Sequence, residues 1–316
     1  MTTSTKTLTL KSSFGTYPHT GALKDGSVKV RGVNLDLLEI TPITTVFRRM
    51  CRNHEFDIAE LAITTYLTAK AYDLPFTAIP VFPVREYWHG QLYINTDVAK
   101  SAKDLEGKKV GVRAYTVTGG VWARGILADE YGVNLDNITW VLADEEHVAE
   151  FHKDYPKNVI HQQGANIAEM LASGELAGAI APGPVNAPNV KQLVTDANNV
   201  QVEKHRTQGF YPINHTIVVK NDILASEPWV AVELFNAFSV AKNQYLARLK
   251  ASASPTDAEK ATLQKAQFNG GDSHPYGVAA NRKMIDAILR LGHNQHILPR
   301  ALTAEEIFAK NTLSLV

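Results

Sequence analysis

The sequence has little that would suggest a disulfide-bonded, metal-binding or nucleic-acid-binding protein. Its 316 residues include one cysteine, Cys51, so neither an internal disulfide nor a cysteine-rich metal site can form. The 32 basic and 32 acidic residues give a net charge of zero, which excludes the basic surface typical of nucleic-acid-binding proteins. No apolar run approaches the roughly 20 residues of a membrane span.

The N-terminus also lacks an apolar stretch of the length found in secretory signal peptides. We therefore expect a cytoplasmic protein without membrane or nucleic-acid partners. Hydrophobic residues make up 45% of the chain, enough for a substantial core, and the length suggests about two domains. The apolar faces of the C-terminal helical segments suggest packing between subunits, so we expect a homo-oligomer.

Short apolar strands alternate with helical segments along most of the chain, which indicates an α/β fold with mostly parallel sheets. The clearest unit runs from Asp104 to Gly132, where a strand, a loop rich in threonine and glycine, and a helix follow one another. Backbone N–H groups at a helix N-terminus suit a carboxylate or phosphate. The candidate anion-binding residues here are Arg113, Tyr115, Thr116, Thr118, Gly119 and Arg124. The alternative is an ordinary turn whose threonines only cap the helix.

Further candidates lie at the ends of predicted strands or in conspicuous polar loops. Glu60 stands where a buried strand gives way to a helix, a position that often lines a site. The other residues of this kind are Tyr17, His19, Arg85, His89, His215, His274 and Tyr276. Tyr17 and His19 could equally be turn residues, and a buried histidine such as His215 is more often structural than functional.

A predicted helix after Pro42 has arginines on its polar face. Such residues usually form a solvated surface, yet a guanidinium in a cleft is a strong carboxylate ligand. Arg48 and Arg52 are therefore also candidates for substrate binding. Cys51 and His54 alone cannot form a metal site, and we expect no required metal.

The order of elements suggests two lobes joined by two crossings of the chain. We expect residues 1–98 and 214–316 to form a discontinuous first lobe and residues 99–213 an inserted second lobe. A ligand would then bind in the cleft between the lobes. Residues 190–208 are polar and predict a loop, and residues 210–219 predict a strand that crosses back and carries His215 near a hinge.

Several segments resemble known proteins. The segments DLEGKKVGV, WARGILADEYGV, GELAGAIAP and YPINHTIVVKNDIL are similar to the type 2 periplasmic-binding-protein fold. The segments FRRMCRNHEFDIAELAITTYL and HPYGVAANRKMI, and the loop after FPVRE with His89, resemble the 4,5-dihydroxyphthalate decarboxylase family. The resemblance covers nearly the whole chain. It implies cofactor-independent removal of one carboxyl group from an aromatic dicarboxylate, giving protocatechuate and carbon dioxide in the catabolism of aromatic compounds.

Such a substrate carries a hydroxyl para to each carboxyl group. Ionising that hydroxyl raises the electron density of the ring carbon that bears the carboxylate, and protonating this carbon allows carbon dioxide to leave. His89, His215 and His274 are candidates for acid and base, since an unperturbed imidazole has a pKa of about 6.5. Glu60 could orient a histidine, or donate the proton itself if burial raised its pKa.

The anionic groups of the substrate need cationic partners. Arg113 or Arg124 could hold the retained carboxylate, and Arg48, Arg52 or Arg85 the other groups. The competing class is a non-catalytic binding or sensor protein for a small aromatic or carboxylate ligand. A cofactor-biosynthesis enzyme of the same fold, of the thiamin-pyrimidine type, would need a cysteine-rich motif that one cysteine cannot supply.

Overall fold

The computed structural model describes residues 7–316, so Lys6, where the first predicted strand begins, lies outside the described residues. The strands are, in chain order, β1 (Leu8–Ser13), β2 (Val33–Leu37), β3 (Ile58–Ala62), β4 (Phe76–Ile79), β5 (Leu92–Asn95), β6 (Lys109–Val112), β7 (Thr139–Leu142), β8 (Val159–His161), β9 (Gly178–Ile180), β10 (Val190–Gln192) and β11 (His215–Lys220). The helices are α1 (Gly21–Lys24), α2 (Ile43–Asn53), α3 (Ile63–Ala71), α4 (Thr118–Tyr131), α5 (Ile167–Ser173), α6 (Ala197–Gln208), α7 (Asn221–Ser226), α8 (Trp229–Lys250), α9 (Asp257–Phe268), α10 (Val278–Asn294) and α11 (Ala304–Ile307).

The first of two compact units contains the chain up to Arg85, Ile213–Asp286 and Leu302–Val316. Its sheet has the strand order β2-β1-β3-β11-β4, in which β11 runs antiparallel to both β3 and β4. β1 is parallel to β2 and β3. The carboxyl ends of β1, β3 and β4 and the start of β11 therefore lie at one edge of this sheet. Side chains that follow or end these strands are brought close together there.

The centre of this sheet is apolar on both faces, which explains why its strands read as continuous hydrophobic runs. The β11 residues Ile217, Val218 and Val219 are fully buried. Helix α3 is buried all round as well, and its Thr68 hydroxyl donates to the Thr64 carbonyl, 2.8 Å away, so that the hydroxyl is satisfied within the helix.

The second unit contains Glu86–Pro212 and Ala287–Ala301. Its sheet has the order β10-β5-β9-β6-β7-β8. β6 pairs in parallel with β7 and β9, whereas β5 is antiparallel to β9 and to β10. Helix α4 follows β6 and ends at Gly132, whose left-handed conformation (φ 64°) lets its N–H group bond the Ala128 carbonyl.

The α/β class is confirmed, with differences in detail. Residues 190–208, predicted as a loop, contain β10 and helix α6. Only Ala197 and His205 are buried in α6, so the helix has no apolar stripe that would reveal it. In the predicted strand over 210–219, regular pairing begins only at His215, because Pro212 has no N–H group to donate. Both sheets are mixed, because β11 in the first and β5 in the second run opposite to the other strands of their sheets.

The expected lobe boundaries differ from those of the compact units. The first unit ends at Arg85, whereas the sequence placed this boundary at residue 98. The return falls at Ile213, and Ala287–Ala301 belongs to the second unit. His89 is therefore a residue of the second unit. Among residues 7–316 there is no helix of the length and apolar character needed to cross a membrane.

The N-terminal cap of helix α9 can be tested by substitution. It buries little, and its start is fixed by a capping box in which Thr256 Oγ1 accepts from the Glu259 N–H at 3.3 Å and Glu259 Oε2 accepts from the Thr256 N–H at 2.7 Å. Thr256→Ala should make opening of α9 easier by about 1 kcal/mol and speed amide exchange across residues 257–268 about fivefold. Hydrogen-exchange mass spectrometry measures this effect.

Gln264→Ala is the matched control. Gln264 is exposed in the same helix, where alanine has the higher helix propensity. Exchange in α9 should be unchanged or slower in this variant. Equal acceleration in both variants would contradict the role of the cap.

Candidate active site

A polar cluster lies at the edge of the first-unit sheet where β1, β3 and β4 end and β11 begins. The sequence-predicted residues that the structure brings together here are Tyr17, His19, Glu60, Arg85, His215, His274 and Tyr276. Glu60 lies within β3 and His215 begins β11, whereas the others belong to the segments that follow β1 and β4 or to the loop before α10. The edge of a sheet that contains parallel strands is where α/β proteins commonly bind ligands.

Glu60 is the centre of this cluster. It is fully buried in β3, and three donors reach its carboxylate. Oε1 accepts from the Tyr17 hydroxyl at 2.7 Å and lies 2.5 Å from His215 Nδ1. Oε2 accepts from the Gly15 N–H at 2.7 Å. Both carboxylate oxygens are therefore satisfied without water, as a buried anion requires.

The protonation of Glu60 follows from these contacts. Burial acts to raise the pKa of its carboxyl, but the hydrogen bond and charge of His215, with the Gly15 and Tyr17 donors, outweigh burial and lower this pKa. Burial and the negative charge of Glu60 raise the pKa of Tyr17, so its hydroxyl stays protonated and donates. An ionised carboxylate only accepts, and Nδ1 of His215 therefore carries the proton that faces Glu60.

Gly15 is required by a close approach rather than by an unusual backbone angle. A Cβ built on Gly15 would overlap the ring and hydroxyl of Tyr17. The absent side chain thus lets the Tyr17 ring lie against the backbone that also donates to Glu60.

The remaining contacts of His215 fix its ring. Phe47 packs edge-on against it, with ring centroids 5.1 Å apart and an interplanar angle of 85°. Nε2 lies 3.3 Å from Asn214 Nδ2, which can donate to it when the imidazole is neutral. With Nδ1 bound to Glu60, Nε2 is the nitrogen available for proton transfer.

Two further histidines of the cluster, His19 and His274, are held in their neutral forms. The rings of His19 and His274 stack with centroids 4.1 Å apart. His19 Nε2 donates to the Pro83 carbonyl at 2.9 Å, and His274 Nδ1 lies 2.9 Å from the Ser273 hydroxyl. Burial lowers the pKa of His19 to about 4. Burial and the nearby His19 and Arg85 hold the pKa of His274 well below its usual value. Both imidazoles are neutral at pH 7.

Cationic groups border these histidines. Arg85 donates to the Pro275 carbonyl at 2.9 Å and also to Asn281 Oδ1. Lys242 donates to Asp272 and to the His274 carbonyl, and its ammonium lies 4.3 Å from the centre of the Tyr276 ring. The Tyr276 hydroxyl is buried and has no hydrogen-bond partner among the described residues.

Several contributors were missed by sequence reasoning. Asn214 and Asn281 carry no distinctive local pattern. Lys242 did carry a signal, because it interrupts the buried face of α8, where a lysine needs a specific partner. The predicted arginines of α2 lie on the helix whose Phe47 contacts His215. There Arg48 is half-buried and Arg52 is exposed.

His89 lies outside this cluster, in the second unit. Its fully buried ring places Nε2 3.0 Å from Glu130 Oε1, and Lys204 approaches the same carboxylate at 3.1 Å. Phe210 packs edge-on against His89. The prediction that His89 takes part in the chemistry stays a prediction, and the contacts of His89 tie it to Glu130 rather than to Glu60.

The predicted anion-binding turn before α4 already holds a carboxylate of the chain itself. Glu146 accepts from the N–H groups of Tyr115 and Thr116, and Arg113 pairs with Asp144 at 2.9 Å. Thr118 and Gly119 belong to the first turn of α4, where the Trp88 ring lies against Gly119. Sequence reasoning identified this turn but missed Glu146. Within the described part of the chain, no group of three or more metal-ligating side chains could hold a metal ion.

Solved structures share this fold at low sequence identity. The desulfurization enzyme DSZB aligns with a TM-score of 0.55 at 14% identity, covering 97% of each chain. The alkanesulfonate-binding protein SsuA from Xanthomonas axonopodis pv. citri gives 0.52 at 10%, over 95% of this chain and 97% of that one. The sulphonate-binding SsuA from Escherichia coli gives 0.51 at 11%, over 96% and 92%. The chain thus has the periplasmic-binding-protein-like α/β fold, as predicted.

Sequence relatives are more specific, although no family model matches the chain. A 4,5-dihydroxyphthalate decarboxylase of Comamonas testosteroni is 32% identical over 95% of this chain and 96% of its own length. One of Pseudomonas putida is 32% identical over 64% of this chain and 83% of its own. The chain belongs to the 4,5-dihydroxyphthalate decarboxylase family. This confirms the predicted family and, at the level of the family, an enzyme of the carboxy-lyase class.

Because the pKa of His19 is lowered in the folded protein, we expect the free energy of unfolding to depend on pH. Between pH 6.5 and pH 4 the unfolded chain protonates His19 whereas the folded protein does not, so the free energy of unfolding should fall as the pH falls through this interval. At 1.36 kcal/mol per pKa unit, the contribution of His19 is about 3 kcal/mol. In His19→Asn the decline, measured by urea unfolding at several pH values, should be correspondingly shallower.

His152→Gln provides the control, because His152 is exposed and its replacement should leave the decline as in the unmodified protein. A slope that is the same for His19→Asn and the unmodified protein would show that His19 titrates normally in the folded state.

Proposed function

We propose that the protein decarboxylates 4,5-dihydroxyphthalate to protocatechuate and carbon dioxide by protonating the ring carbon that bears the leaving carboxylate. Its two relatives are named for this substrate, which supports the substrate class. The observation that carries the mechanism is the buried Glu60–His215 pair, whose carboxylate and imidazole atoms are 2.5 Å apart. A carboxylate that orients a histidine and stabilises its imidazolium is a recurring arrangement for proton transfer.

The reaction needs one proton on carbon and one shift of electrons through the ring. When the hydroxyl para to the leaving carboxylate loses its proton, the ring carbon that bears this carboxylate becomes nucleophilic. Protonation of that carbon gives a dearomatised ketone. The carbon–carbon bond then breaks, its electron pair restores the aromatic ring, and carbon dioxide leaves. In balance, one carboxylate and one proton become one C–H bond and carbon dioxide, without oxidation or reduction.

We assign the acid to His215. Its Nδ1–H is held by the Glu60 carboxylate, whose lowered pKa keeps it ionised and able to stabilise the imidazolium. In the imidazolium form Nε2 carries a second proton, which it delivers to the ring carbon, and the ring returns to the neutral form with its Nδ1–H still on Glu60. The lowered pKa also argues against Glu60 itself as proton donor, the alternative role considered from the sequence. Glu60 is a positioning residue in this scheme, and Tyr17 and Gly15 hold it.

The base is assigned to the stacked pair of His19 and His274. A base must be unprotonated to accept the hydroxyl proton, and burial keeps both rings neutral at pH 7. Because the same burial weakens them as bases, the transfer depends on nearby positive charge that stabilises the phenolate. His19 uses Nε2 as a donor to Pro83, which leaves Nδ1 as its lone-pair nitrogen. Environments that push neighbouring groups toward opposite protonation states are typical of acid–base pairs.

Arg85, with Lys242 nearby, supplies positive charge in the same unit for an anionic substrate. Strong binding is useful on the retained carboxylate and on the developing phenolate. It is unhelpful on the leaving carboxylate, because equal stabilisation of ground and transition states does not speed the chemical step. The Tyr276 hydroxyl, buried without a partner, is a suitable donor to a substrate oxygen.

Replacement of His215 tests the assignment of the acid. His215→Asn should lower kcat by about 10²- to 10⁴-fold, the usual contribution of a general acid, with a smaller change in KM. Glu60→Gln should lower kcat too, and Tyr17→Phe should have a weaker effect of the same kind, since each loosens the orientation of His215. The measurement is chromatographic detection of protocatechuate together with released carbon dioxide.

Turnover in D2O supplies a second readout, in which the product should carry one deuterium at the carbon that lost its carboxylate. His152→Gln is the control and should keep full activity. Tight binding of 4,5-dihydroxyphthalate by the unmodified protein without any carbon dioxide would establish a binding or sensor protein. Full turnover by His215→Asn would remove His215 from the chemistry.

A further inference from the structure

One buried asparagine of the first unit connects Arg85 to the loop before α10. Asn281 is the fourth residue of α10, and both the oxygen and the nitrogen of its side chain have partners. Its Oδ1 accepts from Arg85 Nη2. Its Nδ2 donates to the Pro275 carbonyl at 2.9 Å and to the Gly277 carbonyl at 2.7 Å. All four residues belong to the first unit.

These partners fix the orientation of the Asn281 amide. In the reverse orientation its NH2 group would face the N–H groups of Arg85 and its oxygen would face carbonyl oxygens, so neither side could form a hydrogen bond. The Pro275 carbonyl also accepts from Arg85 Nη2, at 2.9 Å. Arg85, Pro275 and Asn281 therefore form a closed ring of hydrogen bonds, and the loss of one member loosens the other two.

The same amide holds the backbone on both sides of Tyr276. The carbonyls of Pro275 and Gly277, which it binds, flank this residue. The Gly277 N–H donates to the Pro80 carbonyl at 2.8 Å, just beyond the end of β4. The turn that carries Tyr276 is thus fixed at three backbone groups, and Arg85 is bound to this turn through the asparagine.

The oxygens that orient Arg85 do not cancel its charge. Arg85 is 7% exposed, and both oxygens that its Nη2 binds, those of the Pro275 carbonyl and the Asn281 amide, are uncharged. An arginine side chain that is already held when a ligand arrives loses less conformational freedom on binding. An aspartate in place of Asn281 would instead compete with an anionic ligand for the guanidinium.

We propose that Asn281 is a positioning residue for carboxylate recognition, which holds Arg85 in the orientation that binds a carboxylate of the aromatic substrate. This role rests on the proposed function, in which Arg85 supplies positive charge for an anionic substrate. Asn281 acts through Arg85 and not on the substrate itself. Its loss should therefore weaken the binding of carboxylates, whereas proton transfer by His215 should be little changed.

Phthalate is a suitable probe, because it has the two carboxylates but lacks the hydroxyls that the chemistry needs. In calorimetric titrations Asn281→Leu should bind phthalate about fivefold more weakly than the unmodified protein, since ordering one long side chain becomes part of the cost of binding. Asn281→Ala, which cannot crowd the turn, should behave in the same way. Asn281→Asp should weaken binding at least as much, because its carboxylate would pair with the guanidinium.

The matched controls are Asn294→Leu and Asn294→Asp, which make the same changes at an exposed asparagine at the end of α10. They should change phthalate affinity less than about twofold. Phthalate binding by Asn281→Leu and Asn281→Asp as tight as by the unmodified protein would overturn the proposal, and so would the absence of phthalate binding by the unmodified protein.

A double-mutant cycle separates positioning from a general loss of structure. In Arg85→Ala the side chain that Asn281 orients is gone, so adding Asn281→Leu should change phthalate affinity less than about twofold. An asparagine that only supports the fold would weaken binding about fivefold in both backgrounds, and that result would also overturn the proposal.

Turnover separates the role of Asn281 from the decarboxylation itself. Asn281→Leu should raise the KM for 4,5-dihydroxyphthalate about fivefold and change kcat less than about threefold, because the Glu60–His215 pair is intact. A loss of kcat as large as that of His215→Asn, with KM unchanged, would contradict this role. Absence of protocatechuate with the unmodified protein would remove the decarboxylation, whereas the phthalate titrations would still test the effect of Asn281 on Arg85.

Discussion

The burial of the Glu60 carboxylate is the constraint on which the rest of the first-unit cluster depends. A charge fully removed from water is tolerated only when its oxygens are satisfied, and three donors converge on it for that reason. This requirement fixes the tautomer of His215, keeps the Tyr17 hydroxyl protonated and excludes a side chain at Gly15. The same carboxylate thus holds the local structure and, in the proposed mechanism, orients His215 for proton transfer.

The histidines of the cluster lie in two different electrostatic environments. His215 faces an anion, whereas His19 and His274 face each other and the positive charge of Arg85 and Lys242. Burial holds the pKa of His19 and that of His274 below the usual value, so both of these rings are neutral at pH 7. The proposed ring protonation needs both an acid and a base at one pH, and the candidates for both lie at one edge of one sheet. In the second unit, Glu146 shows the same demand that a buried carboxylate be satisfied.

The sequence anticipated the residues that stand at strand ends, because alternating strands and helices deliver such residues to one edge of a sheet. Glu60 was predicted in this way, whereas His215 was predicted from its position near a hinge and His274 from the polar loop that contains it. The sequence could not show which side chains contact each other, since residues in contact, such as Glu60 and Tyr17, lie far apart in the chain. His89 follows a predicted first-unit strand, yet it belongs to the second unit. Neither Glu146 nor helix α6 could be predicted from the sequence around it. Glu146 is one of several acidic residues in a run, and α6 has no apolar face.

The most direct test of the account is the protonation of the His215 ring in the resting protein. With ¹⁵N-labelled histidine, the NMR shifts of the two ring nitrogens distinguish a protonated nitrogen from a bare one. An ionised Glu60 requires that Nδ1 of His215 stay protonated throughout neutral pH, with a strongly downfield proton that disappears in Glu60→Gln. A bare Nδ1 in the unmodified protein, with the proton on Glu60, would contradict the assignment of His215 as the acid and Glu60 as its anionic partner.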